Sequence, residues 1–296
     1  MIKLKLKPKL KPNLKPKTEQ NLSYSDILKD KELKPDDFQK EIQKVLHFQQ
    51  GAINKNAFVG NKILYHFQMD VLCRTHRKNK KSLHDICHNL SELDLLKQQT
   101  LDRQRTGTMA NRLFEAWRIN NGSITFFKMC NATYIYKKYN ATKVLDMTAG
   151  WGGRILGAIN LNIEYTGFDT NLSLKPGYEG LLACFPNHRT KMIWGSCLDY
   201  DFSTLDYDFM LTSPPYEDIE VYEHMTMYSK DDFYTLFLIC MIDKCRKWNK
   251  GYTAINISPQ MYKLLTGKYK YELCLFTEDL KEQKNGKTPD MIYFWK

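Results

Sequence analysis

From residue 21 to about 120 the apolar positions recur at helical spacing. DILKDKELKPDDFQKEIQKVLHFQQ divides into two helical pieces, with Ser25 the expected N-cap of the first and Asp36 of the second. NKILYHFQMDVLCRTHRKNKK and SLHDICHNLSELDLLKQQTLDRQRTGTMANRLFEAWRI continue the pattern. The rhythm changes near the turn pair Asn121-Gly122. KVLDM (143–147), EYTGFD (164–169), KMIWG, YDFMLT (207–212), GYTAINIS, YELCLFT and MIYFWK then read as strands. RILGAINL, GYEGLLACF and the long amphipathic DDFYTLFLICMIDKCRKW fall between them as helices. Strands alternating with helices predict an α/β fold, a mixed and mostly parallel sheet with helices on both faces, preceded by a helical N-terminal region. No internal repeat is visible.

Composition adds limits. The 296 residues are 43% hydrophobic, enough for one large domain with a core or a catalytic domain plus an accessory piece. No run approaches the roughly eighteen apolar residues that cross a membrane, and the N-terminus lacks a signal-type apolar stretch. The expectation is a soluble, cytoplasmic protein with no membrane partner. Eight cysteines without a CxxC pair predict reduced thiols.

The net charge is +11, and MIKLKLKPKLKPNLKPK holds seven lysines and no acid. Lys-Pro repeats build no core, so residues 1–20 are expected to be a disordered arm. Such an arm suits either nucleic acid or plain solvation. RTHRKNKK (74–81) is a compact basic run and a candidate phosphate contact, with a solvated loop as the plainer alternative. Cys73, His76, His84 and Cys87, with His88 adjacent, have spacing that zinc could use, although helical flanks favour half-buried side chains. No metal is expected.

In a parallel sheet, ligands bind at the carboxyl ends of the strands. The first such turn reads VLDMTAGWGGR, Val144 to Arg154. An acid ends the strand, then Gly150, Gly152 and Gly153 crowd one turn before a helix. Glycines let the backbone approach a ligand and take dihedrals other residues resist. The spacing is not the GxGxxG of a dinucleotide site, and an acid there suits a cationic ligand better than a pyrophosphate. A second acid, Asp169, ends the next strand, and GSCLDYDF after the third supplies Asp199 with Asp201 as rival. A further strand ends in LTSPPY: a small hydroxyl, two prolines and an aromatic. Prolines cannot donate to a sheet ladder, so the strand stops there.

VLDMTAGWGGR together with Ser213-Pro214-Pro215-Tyr216 resembles the S-adenosylmethionine-dependent DNA amino-methyltransferases of the N6-adenine or N4-cytosine type, over residues 121–296. The resemblance implies a Rossmann-like methyltransferase fold and S-adenosylmethionine as cofactor. Asp146, Thr148, Ala149, Gly150, Gly152 and Gly153 would hold the methionine and ribose side. Asp169 would accept from the ribose hydroxyls and Asp199 would contact adenine. GSITFFKMCNATYIYKKY resembles the segment that closes over the cofactor, with Thr125, Phe126 and Phe127 as contacts.

In that family Ser213 and the Pro214 carbonyl would accept hydrogen bonds from an exocyclic base amine, freeing a lone pair otherwise delocalised into the ring. Pro215 would hold that carbonyl rigid. Tyr216 would stack on the base, with Tyr222 flanking it. Motif order favours adenine, whereas Ser at the first place favours cytosine. DNA is the expected partner and RNA the alternative; a protein amide, or an inactive nucleic-acid-binding relative, stand behind them. Residues 21–120 would serve target recognition or cap the sheet. Abundant Lys and Asn would suit a virus, a phage or an AT-rich genome, and a viral protein would be expected in the cytoplasm or nucleus of its host cell.

Overall fold

Every strand at the centre of the sheet sends its side chains alternately into two different cores. Val144, Phe209, Leu211, Ala254, Ile292 and Phe294 are buried on one face. Leu145, Met210, Ile255, Ile257, Tyr293 and Trp295 are buried on the other. A sheet covered on both faces requires near-continuous apolar runs, which is why these segments are legible as strands. The structure is a computed structural model; it describes residues 22–49, 58–102, 106–122, 124–215, 220–221, 228–280 and 291–296. The Lys/Pro arm therefore lies outside the described residues.

The strands are β1 (His76–Arg77), β2 (Lys143–Asp146), β3 (Glu164–Asp169), β4 (Thr190–Trp194), β5 (Phe209–Thr212), β6 (Glu220–Val221), β7 (Tyr252–Ile257), β8 (Phe276–Asp279) and β9 (Met291–Trp295). Seven of them form one sheet in the order β4-β3-β2-β5-β7-β9-β8. The first five run parallel, and β9 is antiparallel to both neighbours. The expected mixed, mostly parallel sheet with helices is present. The chain leaves β2 for β3 on one side and later returns to β5 on the other, so the crevice between the carboxyl ends of β2 and β5 is the topological switch point. β1 and β6 form a separate antiparallel pair, with His76 opposite Val221 and Arg77 opposite Glu220.

The N-terminal helices Tyr24–Lys29, Pro35–Leu46 and Asn61–Arg74 share one core with the sheet. Ile42, Val45, Ile63 and Leu64 are buried in the same cluster as Ile155, Leu156 and Leu181. Close approach is built in at Gly157, where an added Cβ would lie 2.7 Å from the Ala132 Cβ. The helices Met129–Lys138 and Gly153–Leu161 meet there.

Local details depart from the sequence expectation. The first helix is capped at Ser23 rather than Ser25, because the Asp26 carboxylate accepts the Ser23 backbone N–H at 2.8 Å. The second begins after Lys34 with Pro35 as its first residue, ahead of Asp36; proline loses nothing there, since that N–H has no helical partner. YELCLFT becomes strand only from Phe276, where the register pairing with β9 begins. Pro259–Gly267 is a helix the apolar pattern did not suggest, started by Ser258, whose hydroxyl accepts the Met261 N–H at 3.1 Å. No helix among the described residues is long and apolar enough to cross a membrane.

Candidate active site

At the switch point the chain folds a cavity of about 790 Å³. Its floor is the glycine turn. Gly150 and Gly152 have φ of +59° and +95°, dihedrals that side chains disfavour. Gly153 is needed for a different reason: a Cβ there would lie 1.7 Å from the Phe127 carbonyl oxygen. Thus the segment around Phe127 is pressed onto the turn, and Thr125, Phe126 and Phe127 all line the cavity. Phe126 packs on Tyr65 at 4.9 Å and on Trp151 at 5.7 Å between ring centroids.

Asp146 corrects the expectation that it faces a ligand. It is fully buried and does not line the cavity. Its carboxylate accepts from Arg154 Nε at 2.6 Å, the Tyr165 hydroxyl at 2.6 Å, the Thr212 hydroxyl at 2.8 Å and the Thr148 N–H at 3.2 Å. Every one of these partners belongs to the protein. Burial alone would lower the Arg154 pKa, and the adjacent Asp146 carboxylate more than reverses that. Arg154 also donates to the Thr148 carbonyl, so the buried pair ties β2, β3, β5 and the turn into one piece. Gly152 likewise faces away from the cavity, against Leu64 and Leu181.

Asp169 does line the cavity. One carboxylate oxygen accepts the Gly150 N–H at 2.7 Å and the other the Asn171 N–H at 2.8 Å. Burial pushes its pKa up to about 6, against the pull of those two amides. The Tyr178 hydroxyl donates to the Gly150 carbonyl at 2.8 Å and fixes the far side of the turn. Asn171 is 4% exposed and also lines the cavity; its Nδ2 has no partner among the described residues. The residues lining the cavity after β4 are Gly195, Ser196 and Cys197. Asp199 is exposed and does not line it, and Asp201 instead accepts the Ser203 N–H at 3.0 Å. The expected adenine contact from either acid is therefore absent from this geometry, because the short 3-10 turn Cys197–Asp199 carries the acid outward.

Across the switch point lie Ser213, Pro214 and Pro215, with Thr148 and Ala149 of the turn on the same cavity. The Thr148 and Thr212 hydroxyls are 2.7 Å apart, which joins the two motifs directly. Ser213 donates its hydroxyl to Asn256 Oδ1 at 3.2 Å, and Asn256 Nδ2 donates to the Met291 carbonyl at 2.8 Å. Tyr216 and Tyr222 lie outside the described residues.

Several wall residues escaped the sequence reading. Asn256 could have been noticed as a polar residue near the end of the apolar strand GYTAINIS. Tyr228, Phe233 and Phe237 form an aromatic wall, with Tyr228 and Phe237 stacked at 5.8 Å. Phe233–Leu238 is a π-helical segment, a wider winding that often marks functional walls. Its sequence looks like ordinary helix. Tyr65, Glu115 and Arg118 come from the N-terminal helices, and only packing brings them here.

The zinc spacing does not assemble. Cys73 is fully buried, and burial raises its thiol pKa. Among the described residues no three His, Cys, Asp or Glu side chains are grouped to hold a metal. All eight cysteines are free.

The strand order places a single antiparallel strand, β9, between β7 and the edge strand β8. No family model matches the chain, and no curated protein does. Solved structures do resemble it. An S-adenosylmethionine-dependent O-methyltransferase from Thermotoga maritima is 12% identical over 60% of this chain and 68% of its own, with a TM-score of 0.42. The methyltransferase domain of a bacterial Hen1 protein is 16% identical over 56% of this chain and 96% of its own, with a TM-score of 0.38. A precorrin-6y C5,15-methyltransferase from Geobacter metallireducens is 13% identical over 56% and 84%, with a TM-score of 0.36.

Proposed function

We propose that the protein methylates an exocyclic amine of adenine or cytosine in nucleic acid, with DNA the first-choice substrate and S-adenosylmethionine the methyl donor. The observation that carries this reading is the meeting, in one cavity, of the glycine turn with Asp169 and of Ser213-Pro214-Pro215. The cavity suits the cofactor chemically. Asp169 offers a carboxylate to a vicinal diol, Asn171 offers an amide donor, and Gly153 lets Phe127 close down on the turn. With Asp146 consumed by Arg154, the groups available to an amino-acid end are those of the N-terminal wall, notably Arg118 and Glu115, paired at 3.0 Å.

S-adenosylmethionine, when bound, supplies an electrophilic methyl group on a cationic sulfur. Ser213 prepares the nucleophile. Because its proton is given to Asn256, its lone pairs remain to accept from the base amine. The Pro214 carbonyl is the second acceptor, held by the fixed φ of proline. Two acceptors draw the amine toward tetrahedral geometry before reaction, so little reorganisation is left for the transition state. Asn256 is an amide and takes no proton, so the proton lost on methylation passes to water. Tyr228 and Phe237 offer flat faces to a base that has left its stack.

The test is incubation with isotopically labelled cofactor and unmethylated DNA and RNA in parallel, then digestion to nucleosides and mass spectrometry. Label on the amine of deoxyadenosine or deoxycytidine is expected, and it names the base. Label only in RNA changes the substrate and keeps the chemistry. Cofactor binding with no label in either overturns the nucleic-acid reading and leaves a protein amide or a binding-only role.

A further inference from the structure

An unbroken row of aromatic contacts leads from the glycine turn to an ion pair on the N-terminal helices. Trp151 of the turn lies 5.7 Å from Phe126, and Phe126 lies 4.9 Å from Tyr65, between ring centroids. Tyr65 meets Phe114 edge-on at 5.8 Å. The Arg118 guanidinium carbon then sits 5.6 Å from the Phe114 centroid. The row joins the turn after β2, the segment pressed onto it, the helix Asn61–Arg74 and the helix Met109–Asn121. Phe114 is 1% exposed, so Arg118 is positioned from the core.

The row ends at Arg118 and Glu115, neighbours on one face of their helix. Arg118 Nη1 donates to the Glu115 carboxylate at 3.0 Å, and Arg118 Nε is buried with no partner among the described residues. The guanidinium therefore has bonding capacity that Glu115 does not use. The two side chains are 20% and 30% exposed, and with Tyr65 they line the cavity. Burial raises the Tyr65 pKa, Arg118 pulls it down and Glu115 pushes it up, so both charges are felt at the Tyr65 hydroxyl. The other ion pairs at the cavity are closed. The Glu41 side chain is 7% exposed and held by Lys44 at 2.8 Å and Lys62 at 3.4 Å, and Asp146 is sealed in by Arg154.

We infer that Arg118 and Glu115 receive the α-amino-acid end of S-adenosylmethionine, the guanidinium taking its carboxylate and Glu115 its ammonium. The inference rests on the cofactor half of the reading above and not on the nature of the methyl acceptor. An α-amino acid carries opposite charges on neighbouring groups, and this pair presents the complementary charges side by side. Ligand and pair are each neutral overall, so their meeting leaves no uncompensated charge in a part-buried wall. The planar guanidinium fork also matches a carboxylate in shape. On this reading the helices before residue 122 are one end of the cofactor site, and not a detachable unit for target recognition.

The experiment measures two ligands on the full chain by calorimetry. S-adenosylhomocysteine carries the amino-acid end; 5′-methylthioadenosine is a nucleoside thioether without it. Arg118→Met is expected to bind S-adenosylhomocysteine about thirtyfold more weakly and 5′-methylthioadenosine as wild type does, the scale of losing a charged hydrogen-bonded contact. Glu115→Gln is expected to lose about tenfold for the first ligand alone. Arg118→Lys keeps the charge without the fork, should also lose about tenfold for the first ligand alone, and decides the question if Arg118→Met does not fold. Folded variants that keep S-adenosylhomocysteine affinity, or that lose both ligands equally, overturn the inference and leave the cofactor reading standing. Wild-type protein that binds neither ligand overturns the cofactor reading and this inference with it.

Discussion

Ser213 donates its hydroxyl proton to Asn256, 3.2 Å away, and Asn256 has no freedom to return one. Its Nδ2 is committed to the Met291 carbonyl on β9, so its oxygen faces Ser213. The strand pairing enforces this: Thr212 stands opposite Ile255, and the next residues of the two parallel strands are Ser213 and Asn256. The direction of the proton on Ser213 is therefore set from the neighbouring strand.

Ser213→Ala is expected to lower kcat about a hundredfold, the scale of losing one preorganised polar contact to the reacting group. Asn256→Ala is expected to lower it about tenfold, since the hydroxyl survives but loses its orientation. Neither should change S-adenosylhomocysteine affinity by calorimetry. A parallel loss of affinity would place Ser213 among the cofactor contacts instead.

Asp146 and Arg154 form a buried ion pair, with Arg154 Nε 2.6 Å from the carboxylate. Removing one partner strands the other charge away from water. Asp146→Ala should therefore cost about 3–5 kcal/mol of stability in chemical denaturation. Arg154→Ala should be comparably destabilising. An Asp146 variant with wild-type stability but no cofactor affinity would assign the carboxylate to the ligand after all.

Asp169 predicts a pH dependence. In the proposed role its carboxylate would have to be ionised to accept hydrogen bonds from two hydroxyls, and burial raises its pKa to about 6. S-adenosylhomocysteine affinity should fall as pH drops through 6 and be about tenfold weaker at pH 5 than at pH 8, with the dependence abolished in Asp169→Asn. The sign for stability is opposite. With its folded pKa above the unfolded value of about 3.9, the group costs stability above pH 6, and that cost is relieved as the pH falls from 6 toward 4. A flat affinity profile in the wild type would remove Asp169 from the site.

Gly153→Ala places a methyl group on the Phe127 carbonyl oxygen. Backbone cannot step aside as a flexible side chain can. The expected cost is about 1–3 kcal/mol of stability together with weaker cofactor affinity, because the covering segment must lift. Gly195→Ala, where no atom lies within 4 Å of the added Cβ, is the control for bulk near the cavity, although its φ of +151° carries its own strain. Unfolding curves and calorimetry on the two variants separate contact from dihedral.

Much was fixed by local sequence. The apolar runs of β2, β3, β5, β7 and β9 show themselves because a strand buried on both faces has no polar alternation to blur it. The glycine turn and the paired prolines announce themselves because their backbone chemistry is particular to those residues. What sequence alone could not decide is which acids face the cavity. Asp146 and Asp169 end strands, Asp199 follows one, and the three look alike as text. Only packing gives Asp146 to Arg154, leaves Asp169 at the cavity, and turns Asp199 to solvent. Asn256, the Phe237 wall and the stitch between Arg77 and Glu220 were hidden for the same reason. Each joins residues far apart in the chain, and such contacts come into being only when the sheet assembles.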